Sequence, residues 1–287
     1  MKLTSDWHIH SRNSCDCACM TVPTLIDRAA QLGIEDYGLT DHLHTPFNLP
    51  DVRASRAEFL ASHPGPRFHL GIEVSVVSQW ELDEIATGRH VDPVYGLRGG
   101  GPPGASLAVG ITQQDVDGMG LEYVVGGTHW PMYVPLEVDA VIRDYHRQNM
   151  FLAAHPLVNV VAHPWWWLGH WRDEDGMYRS DPWMGDFGRV PRSMHEEFAA
   201  AAIQHGKAVE INLCAMLLNG TYTDRFKRQY LEYLADLEQR GVSLAIGSDC
   251  HDEGYDIDFA GAAAMLESAG VRLDRPWRLP PRVTQAP

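Results

Sequence analysis

The chain begins MKLTSDWHIHSRNSCDCACM, in which two histidines flank one isoleucine and an aspartate and three cysteines follow. All of these are metal-ligating types. Alternate residues of an extended strand face the same way, so His8 and His10 can grip one ion while Ile9 faces the other side. Further along come His42 in GLTDH, Glu73 in LGIEV, His129 in VVGGTHW, His163 in VVAHP, and Asp249 with His251 in AIGSDCH. Imidazoles mixed with carboxylates suit Zn, Mn or Fe(II) better than Ca or Mg. One tetrahedral zinc takes four donors. Nine candidates, counting Asp16, therefore imply two or three divalent ions, with Glu73 as a bridge.

Such residues need a scaffold that brings them together. Short runs rich in β-branched and aromatic residues predict seven strands, over Lys2–Trp7, Asp36–Thr40, Arg67–Val74, Leu121–Gly126, Val158–Ala162, Ala208–Asn212 and Val242–Gly247. Several are apolar on consecutive residues, as expected of strands buried on both faces. Helices are predicted over Pro23–Leu32, Pro135–Ala154, Ser193–His205, Thr223–Arg240 and Asp258–Ala269, with Ser193 and Glu196 in capping-box spacing. Alternating strands and helices predict a parallel α/β architecture. Six of the seven strands carry a ligand type at the carboxyl end, and in a parallel barrel those ends converge on the active-site face. Gly96–Gly120 and Trp165–Pro191 break the rhythm and read as loops over that face. The chain is expected to be a single domain over 1–287, with an irregular tail from about residue 272, since no linker or repeat divides it.

Bulk properties narrow the function. The net charge is −15 and there are only three lysines, which excludes nonspecific binding to nucleic-acid backbone. Bound divalent cations could neutralise part of that charge. No stretch is apolar for the ~20 residues that a membrane helix needs. Asp6 and His8 interrupt any signal-peptide core, so a cytoplasmic location is expected, without nucleic-acid or membrane partners. The sequence leaves the oligomeric state open. Five cysteines, an odd number, suggest no disulfide framework. Cys15, Cys17 and Cys19 lack the usual zinc spacing, and the favoured reading is small free thiols beside the barrel mouth.

Taken together and in order, DWHIHS, Ser14-x-Asp16, LTDH, GIEV, GGTHW, AHP, VEIN and GSDCH resemble the polymerase-and-histidinol-phosphatase (PHP) family of metal-dependent phosphoesterases. The resemblance implies a distorted seven-stranded β/α barrel, similar to a TIM barrel. It also implies nine ligands: His8, His10, Glu73 and Asp249 on a first metal, Glu73, His129 and His163 on a second, and Asp16, His42 and His251 on a third.

Clustered divalent ions lower the pKa of a bound water and bind phosphoryl oxygens. The expected reaction is hydrolysis of a small organic phosphomonoester by a metal-bound hydroxide. Asp249 or His251 is the expected source of the leaving-group proton. Arg12 is a candidate phosphate ligand with a catalytic role, with Arg172 and Arg179 behind it. Asn212 at the end of strand six is a candidate substrate contact, and Glu210 could support a ligand. Trp130, Trp165 and the following tryptophans could line the substrate pocket. His44, His170 and His195 read as surface or loop histidines. Family members that act on histidinol phosphate carry an arginine beyond the EIN motif, whereas VEINLCAMLLNG has Leu217 near that place. That departure keeps open an amide- or ester-type hydrolase with the same site, and beyond it a non-catalytic metal-binding accessory domain.

Overall fold

The computed structural model describes residues 1–17, 19–166 and 186–279. The elements in chain order are β1 (Ser5–Ile9), α1 (Val22–Leu32), β2 (Asp36–Leu39), β3 (His42–Leu43), α2 (Leu49–Ala61), β4 (Phe68–Ser78), α3 (Gln79–Ala86), β5 (Leu107–Val109), α4 (Gln113–Met119), β6 (Tyr123–Gly127), α5 (Val138–Ala154), β7 (Val160–Ala162), α6 (Arg192–Gln204), β8 (Ala208–Asn212), α7 (Asp224–Arg240), β9 (Ser243–Gly247) and α8 (Phe259–Ser268). Seven parallel strands run in the order β1-β2-β4-β6-β7-β8-β9. The sheet nearly closes on itself: Asp249 N donates to His8 O at 2.7 Å and His10 N to Cys250 O at 3.2 Å. Helices surround it, giving the TIM-like barrel that the strand pattern predicts.

Alternation along the strands sorts side chains into two layers. Leu70, Ile72 and Val74 of β4, with Val161, Val209, Leu244 and Ile246, join the large core shared with the helices. Trp7, Tyr123, Val125, Val160, Ala162, Ala208 and Ala245 form a separate cluster. The tail beyond α8 contributes to it: Trp277 N donates to Leu244 O at 2.7 Å, and its ring meets Trp7 edge-on at 5.0 Å. Residues 272–279 thus form no helix or strand but are tied to β9 by a bridge at Pro276.

Several elements depart from the sequence reading. Gly96–Gly120 is not loop throughout, because it holds β5, antiparallel to the end of β4, and α4 with a Thr112/Asp115 capping box. Helices α2 and α3 also emerge. Helix α2 is barely amphipathic, burying only Val52, Ser55 and Phe59, so periodicity did not mark it. The capping box expected at Ser193 does not form: α6 begins at Arg192, after Pro191 and without a side-chain cap. Among the described residues no helix is long and apolar enough to cross a membrane.

Candidate metal centre

Strand register sets the centre. Strand β4 is long enough to pair first with β2 and then with β3, and this places His42 beside Glu73. On its other edge Glu73 pairs with Val125, two residues before Gly127. A β-carbon at Gly127 would lie 2.6 Å from Glu73 Oε1 and 2.6 Å from His129 Cε1, so this close approach needs glycine. His8 and His10 face the same side, with their Nε2 atoms 3.0 Å apart. His163 and Asp249 reach the cluster with φ of +26° and +54°, left-handed values uncommon for residues that carry a side chain.

Glu73, completely buried, is the hub. Its Oε1 lies 3.1 Å from both His129 Nε2 and His163 Nε2. Its Oε2 lies 3.1 Å from His8 Nε2, 3.5 Å from His10 Nε2 and 2.7 Å from His42 Nδ1. Asp249 Oδ1 is 3.2 Å from His10 Nε2, and Asp16 Oδ2 is 3.0 Å from His42 Nε2 and 3.2 Å from His251 Nε2. Four groups of donors result: His8/Glu73/His163, His8/His10/Asp249, His42/Glu73/His129 and His10/Asp16/His42/His251. All nine residues singled out from the sequence are in them. The grouping differs from the one the resemblance implies, since His42 adjoins Glu73 as well as Asp16.

The donor set fits divalent ions. Glu73 Oε2 and His42 Nδ1 make no hydrogen bond despite their proximity, as if both were aimed at a third body. Donors about 2.0–2.2 Å from a shared ion stand roughly 3–3.5 Å apart, the spacing seen around Glu73. Electrostatics agree. Burial opposes charge on Glu73 and Asp249, but facing histidines outweigh it and hold both carboxyls well below their usual range. Burial opposes charge on His8 too, but Glu73, Glu210 and Asp249 outweigh it and raise its pKa. Burial, with His251 and His42 nearby, lowers His10 to about 3. Carboxylates so deeply buried require cations.

A second layer orients the candidate ligands. Glu210 lies 2.6 Å from His8 Nδ1 and accepts the His163 backbone N–H at 2.8 Å. Ser75 Oγ lies 2.8 Å from His129 Nδ1 and 2.6 Å from His44 Nδ1. Asn212 donates to Glu210 and to Asp249 Oδ2, both at 3.0 Å, and accepts from Ala215 N. It therefore positions Asp249 and is committed away from substrate.

The centre opens into a cavity of about 120 Å³ lined by Asp16, His42, His44, Tyr95, Arg98, His129, Trp130, His163, Trp166, Asp249 and His251. Trp130 is there, as expected. Arg12 is not: it is half exposed and pairs with Glu58 at 3.1 Å. Trp165 is not either, because it is fully buried and packs edge-on against His195 and Phe187. Trp166 lines the wall in its place. Arg172, Arg179, His170 and the further loop tryptophans Trp167 and Trp171 lie outside the described residues. His195 packs in the Trp165–Phe187 cluster and is no surface histidine.

Sequence reasoning missed His44, Ser75, Tyr95 and Arg98. His44 had a signal, since His42-Leu43-His44 repeats the alternate spacing of His8 and His10, and the two rings stack at 4.5 Å. Ser75 likewise sits two residues past Glu73 on the same strand. Arg98 had none. Cys15, Cys17 and Cys19 join no donor group among the described residues. Burial pushes the Cys15 thiol up to about 12, so it stays protonated.

No protein-family profile and no curated protein matches the chain. Among solved structures it is similar to a Listeria monocytogenes crystal structure provisionally named a histidinol phosphatase, hisK. The TM-score is 0.57 at 10% identity, covering 90% of this chain and 99% of the other. At that identity the likeness shows a shared fold.

Proposed function

We propose that the protein is a metal-dependent phosphatase that releases phosphate from a small organic phosphomonoester. The observation that carries this reading is the convergence of nine metal-ligating side chains at one barrel mouth around buried Glu73, with Asp16 and His251 the more exposed members, opening directly into a cavity. Two or three Zn, Mn or Fe(II) ions, when bound, supply Lewis-acid charge and an acidified water suited to attack on phosphorus. The chain's own residues prepare the site. Glu210 and Ser75 fix the rings of His8 and His129, the Asp249 carbonyl fixes His251 at 3.0 Å, and Asn212 fixes the Asp249 carboxylate. Trp130 and Trp166 wall the cavity and exclude water. Asp249 and His251 both line it; Asp249 is held ionised, whereas His251, the more exposed and with its pKa raised, is the better source of the leaving-group proton.

A second reading is favoured by one observation: Leu217 is fully buried, so no cation stands where histidinol-phosphate enzymes of the resembled family carry arginine. The same site would then hydrolyse an amide or ester. Phosphate release from sugar, amino-alcohol and nucleotide monophosphates decides between them, using protein loaded with Mn, Zn or Fe(II) and assayed for metal. Turnover that His8→Ala lowers by at least about 100-fold is the expected result. Fully metallated protein that releases no phosphate would move the assignment to the amide or ester reading.

A further inference from the structure

Arg98 is the only lysine or arginine lining the cavity among the described residues. It is carried by the segment between α3 and β5, and that segment is held firmly. Buried Glu81 accepts the Leu97 N–H at 2.5 Å and the Tyr133 hydroxyl at 3.3 Å. Gly96 lies against Glu81 at φ +77°, where a β-carbon would collide with the carboxylate. Arg98 itself has φ +53°. Its guanidinium packs 4.6 Å from the Trp130 ring and 4.8 Å from the Tyr95 ring. It makes one hydrogen bond, from Nε to Tyr95 O at 3.3 Å, and no ion pair among the described residues. Its terminal amino groups are thus half-buried donors without an acceptor, and burial makes an anionic partner valuable.

Its position is as informative as its charge. From the ligand His42 the rings run outward to His44 at 4.5 Å, then to Tyr95 at 5.5 Å and Trp130 at 5.6 Å, and only then to Arg98. The Tyr95 phenol and the Cys15 thiol near it keep their protons, and no carboxylate of the metal centre acts on it. Among the described residues no hydrogen bond or ion pair joins Arg98 to any of the nine donors, and it sits on the Tyr95–Trp130 wall of the cavity, free to meet a different part of the bound molecule.

We propose that Arg98 anchors a second anionic group of the substrate, which makes the substrate class a phosphomonoester bearing a carboxylate or a second phosphate. This rests on the reading that the histidine–carboxylate cluster is the reacting site. A substrate with a cationic amine at that end would meet a like charge.

The test compares matched substrates on the metal-loaded protein: phosphoglycolate against ethyl phosphate for a carboxylate, and propanediol bisphosphate against propyl phosphate for a second phosphate. The ratio of kcat/KM within one pair is expected to exceed about tenfold, and to collapse toward one in Arg98→Ala, with Arg98→Lys between. Which pair shows the preference identifies the anion. Ratios near one in both pairs, or a preference that neither variant alters, overturn the proposal. If no compound is hydrolysed, the phosphatase reading fails separately. Calorimetric binding of phosphonoacetate against methylphosphonate then decides: equal affinities, or a preference that survives Arg98→Ala, overturn the anchor.

Discussion

At the scale of single residues, the centre depends on side chains that touch no substrate. Glu210 contacts His8 Nδ1, the His163 N–H and Asn212 at once, from the one strand without a ligand of its own. Glu210→Gln keeps the shape but removes the charge facing His8. Metal affinity is expected to fall about 10- to 100-fold, read by competition with a chelator, while the far-ultraviolet dichroism is unchanged. Unaltered affinity would reduce Glu210 to a packing residue. Most of the nine ligand types were legible because they fall at or just past the end of a strand, whereas Glu73 lies within β4 and Asp16 in the loop after β1. Arg98 was not, since nothing local in GLRGGG distinguishes a cavity-lining arginine from an exposed one. Arg12 misled for the same reason: proximity to HxH in sequence did not foresee Glu58 across the fold.

At the scale of elements, all seven barrel strands were legible within a few residues, because burial on both faces leaves unbroken apolar runs. The short helix α4 was not, because it sits among glycines that signal turns, and α3 is only eight residues long and follows β4 directly. The tail is irregular over 272–279, as expected, but Trp277 is held by tertiary contact that no local pattern foretold. It packs on Trp7 and Tyr123 at the amino-terminal end of the barrel. Trp277→Ala is expected to destabilise the fold by about 2–4 kcal/mol, measured by urea denaturation, with metal content retained. A change below about 0.5 kcal/mol would show that the tail merely rests there.

At the scale of the whole molecule, stability is tied to pH through groups remote from the centre. Burial, against Trp165, Phe187 and Tyr233, lowers the His195 pKa from 6.5 to about 4. The unfolded chain takes up a proton there that the folded chain refuses, so His195 costs stability as pH falls from 6.5 toward 4. His195→Phe should remove about 1–3 kcal/mol of that acid sensitivity, seen as a smaller loss of Tm between about pH 7 and about pH 5. An identical slope in both proteins would show that His195 is readily protonated in the fold.

The Ser75 hydroxyl, set between His129 and His44, owns a single hydrogen. If His129 presents Nε2 to a metal, its own hydrogen sits on Nδ1 and points at Ser75. Ser75 must then donate its hydrogen bond to His44 Nδ1, which leaves His44 protonated on Nε2, an atom without a hydrogen-bond partner among the described residues. Loading a metal on one side of this serine thereby fixes the tautomer of an imidazole on the other. The cavity gains an N–H donor whose orientation is dictated by hydrogen parity.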